Sequence, residues 1–207
     1  MIVSDRSGSE TDSISRPLWL IRALWFLLFA GFALGFYSVW VGYFIFTDGA
    51  IYASLGKSLA EGNGLRYCGS THLFYPPGYP IAIAALYAGL RNAELAAHGV
   101  SFLAYMGTIA LTMRLAWSMR PSPWFVLFSA CVAVFHPYCI LFANRALSES
   151  LFACIALASA YCAWKLAHES KSPLWRWGLW GVLGGYLYLI RADGIGQVAA
   201  HIVSDVD

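Results

Sequence analysis

Asp48 and Tyr52 stand four residues apart, so a helix through them sets a carboxylate and a phenol on one face. Such an aspartate has two readings. It opens a helix as an N-cap, or, at a membrane surface and partly stripped of water, it takes a proton from a hydroxyl. Tyr52 either orients that carboxylate or a bound hydroxyl, or anchors the chain at the interface as an aromatic. Lys57, Arg66, Arg145 and Arg191 are cations able to hold a phosphate, and arginine suits that task because its planar fork bonds phosphate oxygens in pairs. Taken singly each reads as a lipid-headgroup contact. Glu149 lies four residues after Arg145, a spacing that suits a helical ion pair, and Asp193 beside Arg191 invites the same reading. Tyr75-Pro76-Pro77 with Tyr79 forms either a wall for a ligand or a rigid turn seating the next helix.

The elements that must position these residues belong in a membrane. Of the 207 residues 59% are hydrophobic and 12% charged, against about 25% charged in a soluble domain, and the mean hydropathy is +0.62. Disorder, coiled coil and a disulfide-stapled secreted domain are excluded on the same grounds. A net charge of +2 without a long basic run argues against nucleic acid. The five cysteines include no CxxC pair, which argues against redox chemistry and structural zinc.

Five charge-free runs read as transmembrane helices: Ala23–Thr47, Leu95–Met113, Pro121–Asn144, Ser150–Trp164 and Trp177–Ile190. The last two are short and must borrow flanking residues, with Lys165 or Arg176 snorkelling. The fold class expected is therefore all-α, a polytopic helix bundle. Residues 1–16 read as a flexible tail. With the N-terminus in the cytoplasm, the inner segments carry eight cations (Arg6, Arg16, Arg22, Arg114, Arg120, Lys165, Lys171, Arg176) and the outer ones five (Lys57, Arg66, Arg91, Arg145, Arg191). That bias favours a multi-pass protein of the plasma or inner membrane with its N-terminus inside. Asp48, Tyr52, Tyr75 and Glu149 then face outward with the five outer cations.

The outer segment, residues 47–93, is long for a connection. It opens on Thr47-Asp48 and reaches a helix stop at Gly62-Asn63-Gly64. Ile51, Leu55 and Leu59 recur every four residues, which predicts an amphipathic interfacial helix with Tyr52, Lys57 and Glu61 off the stripe. The prolines of Tyr75–Pro80 predict extended and turn geometry. Residues 81–90 are apolar but too few to span, and predict a buried or re-entrant helix.

The pattern D48-G-A-I-Y52, closing on E61-G-N-G and followed by F74-Y-P-P-G-Y-P, resembles the first outer loop of GT-C-type membrane glycosyltransferases. The protein O-mannosyltransferase and lipid A aminoarabinose-transferase branch is the one it is most similar to. R145-A-L-S-E149-S-L-F resembles the outer loop after their third span, and Y188-L-I-R191-A-D-G194 the end of a later one. The resemblance covers residues 17–196; residues 197–207 do not continue it, and family members are much longer, so it implies the N-terminal portion of such a fold or a truncated product. It implies a sugar donor on polyprenyl phosphate, and an acceptor (protein, lipid or polysaccharide) attacked on the outer face with inversion. Asp48 matches the family's proposed base, and Tyr52, Arg66, Tyr75, Glu149 and Arg191 are the substrate-binding candidates. Glu149 by this resemblance lines the cavity of Asp48. No tightly bound cofactor is implied, and a divalent metal is left open: His72 with Asp48 and Glu149 supplies donors but no metal-ligand spacing.

His136, ahead of Pro137 inside a run, is expected to bond a carbonyl freed by the proline. No P-loop, GxSxG, HExxH or GxGxxG occurs. Two rival readings are a transporter or flippase component, to which a broken span at His136-Pro137 would be suited, and a non-catalytic membrane remnant.

Overall fold

The computed structural model describes residues 17–41, 45, 47–72, 74–169 and 172–191. Within them the chain is helical apart from one short hairpin. The first helix, α1 (Leu18–Val41), is apolar all round, with Trp25, Phe26 and Phe29 largely exposed, as expected of a helix solvated by lipid. It is followed by α2 (Thr47–Ala60), the hairpin β1 (Arg66–Tyr67) and β2 (Ser70–Thr71), and α3 (Gly78–Leu90). The remaining helices are α4 (Ala93–Met119), α5 (Pro123–Phe135), α6 (Pro137–Asn144), α7 (Ser148–His168) and α8 (Leu174–Ile190).

Among the described residues three helices, α1, α4 and α7, are long and apolar enough to cross a membrane, and a bent α5–α6 pair makes a fourth span if counted as one. The expected fifth span is α8, whose 17 residues fall short on length. Pro137 causes the 47° bend between α5 and α6, because it has no N–H to continue the ladder. His136 does not repair the break as expected. It is the hinge residue itself, in an extended conformation between the two helices. The Val134 carbonyl accepts instead from the Tyr105 hydroxyl of α4 at 2.7 Å, and the Asn144 carbonyl at the end of α6 accepts from His98 Nδ1 at 2.6 Å. Both bonds lie across helices, so α4 holds the broken span in place.

Two apolar clusters share α4. One joins α1, α4, α5 and α6 around Leu27, Tyr105, Ile109, Val126 and Val134. The other packs α2 and α3 on the first half of α4 through Tyr52, Tyr79, Ile83, Ala97 and Ala146. The buried face of α2 is not the Ile51-Leu55-Leu59 stripe: Gly49, Tyr52, Ala53 and Gly56 are buried with Leu55, whereas Ile51 and Leu59 are only half-buried. Close approach decides this. A Cβ on Gly56 would stand 2.4 Å from Ile83 Cγ2, and one on Gly49 3.0 Å from the Ala146 carbonyl oxygen, so small residues let α2 pack backbone-close.

The loop after α2 turns through Gly62 and Gly64, both at positive φ, where the sequence places its helix stop. The hairpin was not signalled: its turn is Cys68-Gly69, both at positive φ, and a cysteine there is an uncommon turn residue. Pro80 lies inside α3 rather than ahead of it, tolerated in a first turn whose N–H groups have no partner within the helix. The start of α3 meets the end of α8. The Gly78 carbonyl accepts from the Tyr186 hydroxyl at 2.9 Å, and a Cβ on Gly78 would fall 2.7 Å from the backbone of Leu189 and Ile190. Gly78→Ala is therefore expected to cost about 1–3 kcal/mol in denaturant titration in detergent. Unchanged stability would mean that α8 does not seat on α3.

Candidate active site

Asp48 is the second residue of α2, inside the first turn rather than ahead of it, so the N-cap reading does not describe it. Its carboxylate still gains from the positive end of the helix. The partner of Asp48 Oδ1 is the Tyr75 hydroxyl, which donates at 2.7 Å across 27 residues of chain. Pro76 and Pro77 fix the backbone that follows Tyr75, which limits the orientations this phenol can take.

Tyr52 lies one turn beyond Asp48 and is 6% exposed. Its ring sits 4.8 Å from that of Tyr75 and edge-on to Tyr79 at 5.1 Å. Tyr79 is fully buried, with its hydroxyl 2.9 Å from the Ala97 carbonyl oxygen and 2.8 Å from Ser101 Oγ. Ser101 in turn donates to the Leu147 carbonyl at 3.2 Å. The three tyrosines thus form a column from the loop ahead of α3 to α4, and its last bond fixes the residue just ahead of α7. An interfacial anchor would stand exposed, so Tyr52 is part of a packed wall instead.

Glu149 is the second residue of α7, and Arg191 directly follows α8. Each charge is matched to the dipole of its own helix end. The single helix that the expected Arg145–Glu149 pairing presupposes is not present: Arg145 and Leu147 are extended, so the two residues do not share a helix. Glu149 Oε1 faces Arg191 Nη1 at 3.8 Å, and the Arg191 guanidinium lies 5.9 Å from the centre of the Phe152 ring. At 3.8 Å the contact is an ion pair and not a hydrogen bond. Among the described residues the buried Glu149 Oε2 has no hydrogen-bond partner.

These groups meet around one cavity of about 290 Å³. Asp48, Tyr52, Tyr75, Glu149 and Arg191 line it, and Ser148, which sequence reasoning missed, completes its floor. Ser148 is the first residue of a helix and lines the cavity beside Tyr52; its place immediately before Glu149 was the available signal. Arg66 is not brought there. It stands exposed on β1, where the hairpin lifts it away from the cavity. Lys57 lies 4.0 Å from Glu61, an exposed contact on its own helix. His72 stacks on Tyr75 at 5.3 Å, and among the described residues no three His, Cys, Asp or Glu side chains converge as metal ligands. Asp193 lies outside the described residues.

The phenols report the local field. Tyr75 is pushed up to about 12, first by the hydrogen bond it donates to Asp48, then by desolvation and the nearby carboxylate charge. Tyr52 is raised chiefly by burial, with Glu149 and Asp48 adding to the rise and Ser148 and Arg191 opposing it. Both therefore stay protonated at neutral pH. Because the folded chain keeps the Tyr75 proton to higher pH than the unfolded chain, the associated stability is complete below about pH 10 and is lost as pH rises toward 12. Subtracting the tyrosinate absorbance titration of Tyr75→Phe from that of the unaltered chain should leave a component centred near 12. A component near the ordinary tyrosine value would show that the Asp48 contact is absent in solution.

No family model, curated protein or solved structure matches the chain. The cavity itself offers one carboxylate held by a phenol, a second carboxylate with a bare oxygen, and one guanidinium.

Proposed function

We propose that the chain is a membrane glycosyltransferase, or part of one, that moves a sugar from a polyprenyl-phosphate carrier to a hydroxyl-bearing acceptor on the outer face of the membrane. The observation that carries the reading is the meeting of Asp48 and Arg191 in one cavity at one end of an apolar helix bundle, joined to the resemblance of the loop sequences around them. In the reaction the acceptor oxygen attacks the anomeric carbon of the sugar, and the bond from that carbon to the phosphate oxygen breaks with inversion. Asp48 takes the acceptor proton, and polyprenyl phosphate leaves with its new negative charge on Arg191. A phosphate is a good leaving group, so the work required is one proton abstraction and one charge neutralisation. Glu149 competes with the phosphate for Arg191, and the 3.8 Å spacing of that pair lets an anion with shorter contacts displace it. Tyr52 and Tyr75 offer an aromatic wall to the sugar.

The bent α5–α6 span supports a second reading, a transporter or flippase component, because broken helices line transport sites. The charges of the cavity lie at helix ends rather than at mid-span, which favours transfer. Proteoliposomes of the full chain, supplied with polyprenyl-phosphate-linked radiolabelled sugar and a mixed acceptor extract, separate the two. Label appearing on acceptor with release of polyprenyl phosphate is the expected result. Label that only crosses the bilayer, still attached to its carrier, would establish transport instead.

A further inference from the structure

A second groove lies between α1 and α4, at the end of the bundle away from Asp48. Ile21, Leu24, Trp25 and Leu28 of α1 form one wall, Ala110 and Trp117 of α4 line the other, and the space between is about 300 Å³. Arg114 belongs to the same lining. It stands 13 residues along α4 from Ser101, or about 20 Å of helix, so it is remote from the tyrosine column. Five residues separate it from the end of α4, which places its Cα about 8 Å from that end, a distance that a snorkelling arginine side chain can cover. Tryptophans mark that level independently: Trp19 and Trp124 are in ring contact at 5.8 Å, and Trp25 is exposed beside the groove.

Charge at this end is one-sided. Glu169 is the acid of this end among the described residues, and it is held by Lys165 at 3.1 Å and by Arg176. Arg22, Arg114 and Arg120 form no ion pair with a described residue. An apolar trough leading to an arginine at headgroup depth is complementary to a ligand with an anionic head and a hydrocarbon tail. We propose that the α1–α4 groove holds an anionic phospholipid, its phosphate on Arg114 and one acyl chain along the α1 wall.

The test uses the full chain in phosphatidylcholine bilayers doped with equal, small amounts of either photoactivatable phosphatidylglycerol or photoactivatable phosphatidylcholine carrying the same chain. Labelled peptides are mapped by mass spectrometry. Phosphatidylglycerol should label the groove peptides of α1 and α4 about fivefold more than phosphatidylcholine. Arg114→Gln should bring the two lipids level with helix content unchanged, and Arg91→Gln, remote from the groove, should preserve the excess. Ala110→Phe, which fills the groove and keeps every charge, should lower labelling by both lipids and keeps the proposal testable if Arg114→Gln does not fold. Equal labelling by the two lipids, an excess that survives Arg114→Gln, or an Ala110→Phe protein that labels like the unaltered one would overturn the assignment. So would cross-links joining residues 1–16 to the groove in place of lipid adducts, since the acids of that segment would then be the occupant.

Discussion

Asp48→Asn is expected to lower sugar transfer by about 10²–10⁴-fold, the usual contribution of a positioned general base, with donor binding left nearly intact. Asparagine keeps the size of the side chain and an oxygen that can accept from the Tyr75 hydroxyl, so the 2.7 Å contact has a substitute and α2 keeps its seat on α3. What is lost is the ability to take a proton. A second readout belongs to the same variant. The leading cause of the high Tyr75 value is its hydrogen bond to the carboxylate, so the tyrosinate component near 12 should move back toward the ordinary tyrosine range. A variant that loses transfer while that component stays near 12 would separate Asp48 from Tyr75 and leave the geometry of the cavity in error.

Arg191→Gln should cost about 10²–10³-fold in kcat/KM, the range seen when a donor aimed at developing charge is removed. In the proposed reaction the leaving phosphate gains a negative charge as the sugar departs, and Arg191 is the cation that lines the cavity with Asp48. Arg191→Lys should recover part of the loss, because an ammonium supplies charge without the planar fork. The substitution also removes the ion-pair partner of Glu149, so Arg191→Gln with Glu149→Gln should unfold less readily than Arg191→Gln alone, while transfer stays low in both. Full transfer by Arg191→Gln would move the phosphate elsewhere, and the exposed Arg66 would be the next residue to test.

Much of the site was legible because its residues occupy helix ends that composition already marks. Asp48 begins an apolar-patterned segment, Glu149 begins a charge-free run, and Arg191 ends one; a bundle of antiparallel helices brings alternate ends together. Arg66 failed for a local reason. It lies in the same loop as Asp48, but proximity in sequence says nothing about the Cys68-Gly69 turn that carries it away. Arg145 failed because the i,i+4 rule presupposes one continuous helix, and extended residues 145 and 147 interrupt it. The buried face of α2 was misjudged because periodicity weighs large apolar residues, whereas the close partner Ile83 selects glycine. The bent α5–α6 span shows the same limit of a sequence reading. Pro137 announces a break in the sequence, but only the surrounding bonds from Tyr105 and His98 show that both halves remain in one bundle.

In the proposed reaction one carboxylate removes the acceptor proton as a phosphodiester donor loses its sugar. Phosphorus NMR of a polyprenyl-phosphate-linked sugar, incubated with acceptor and the full chain in detergent micelles, follows the conversion of phosphodiester to phosphomonoester directly. The unaltered chain should convert the donor only when acceptor is present, and Asp48→Asn should leave the phosphodiester signal unchanged over the same time. Equal conversion by the two proteins would contradict the account.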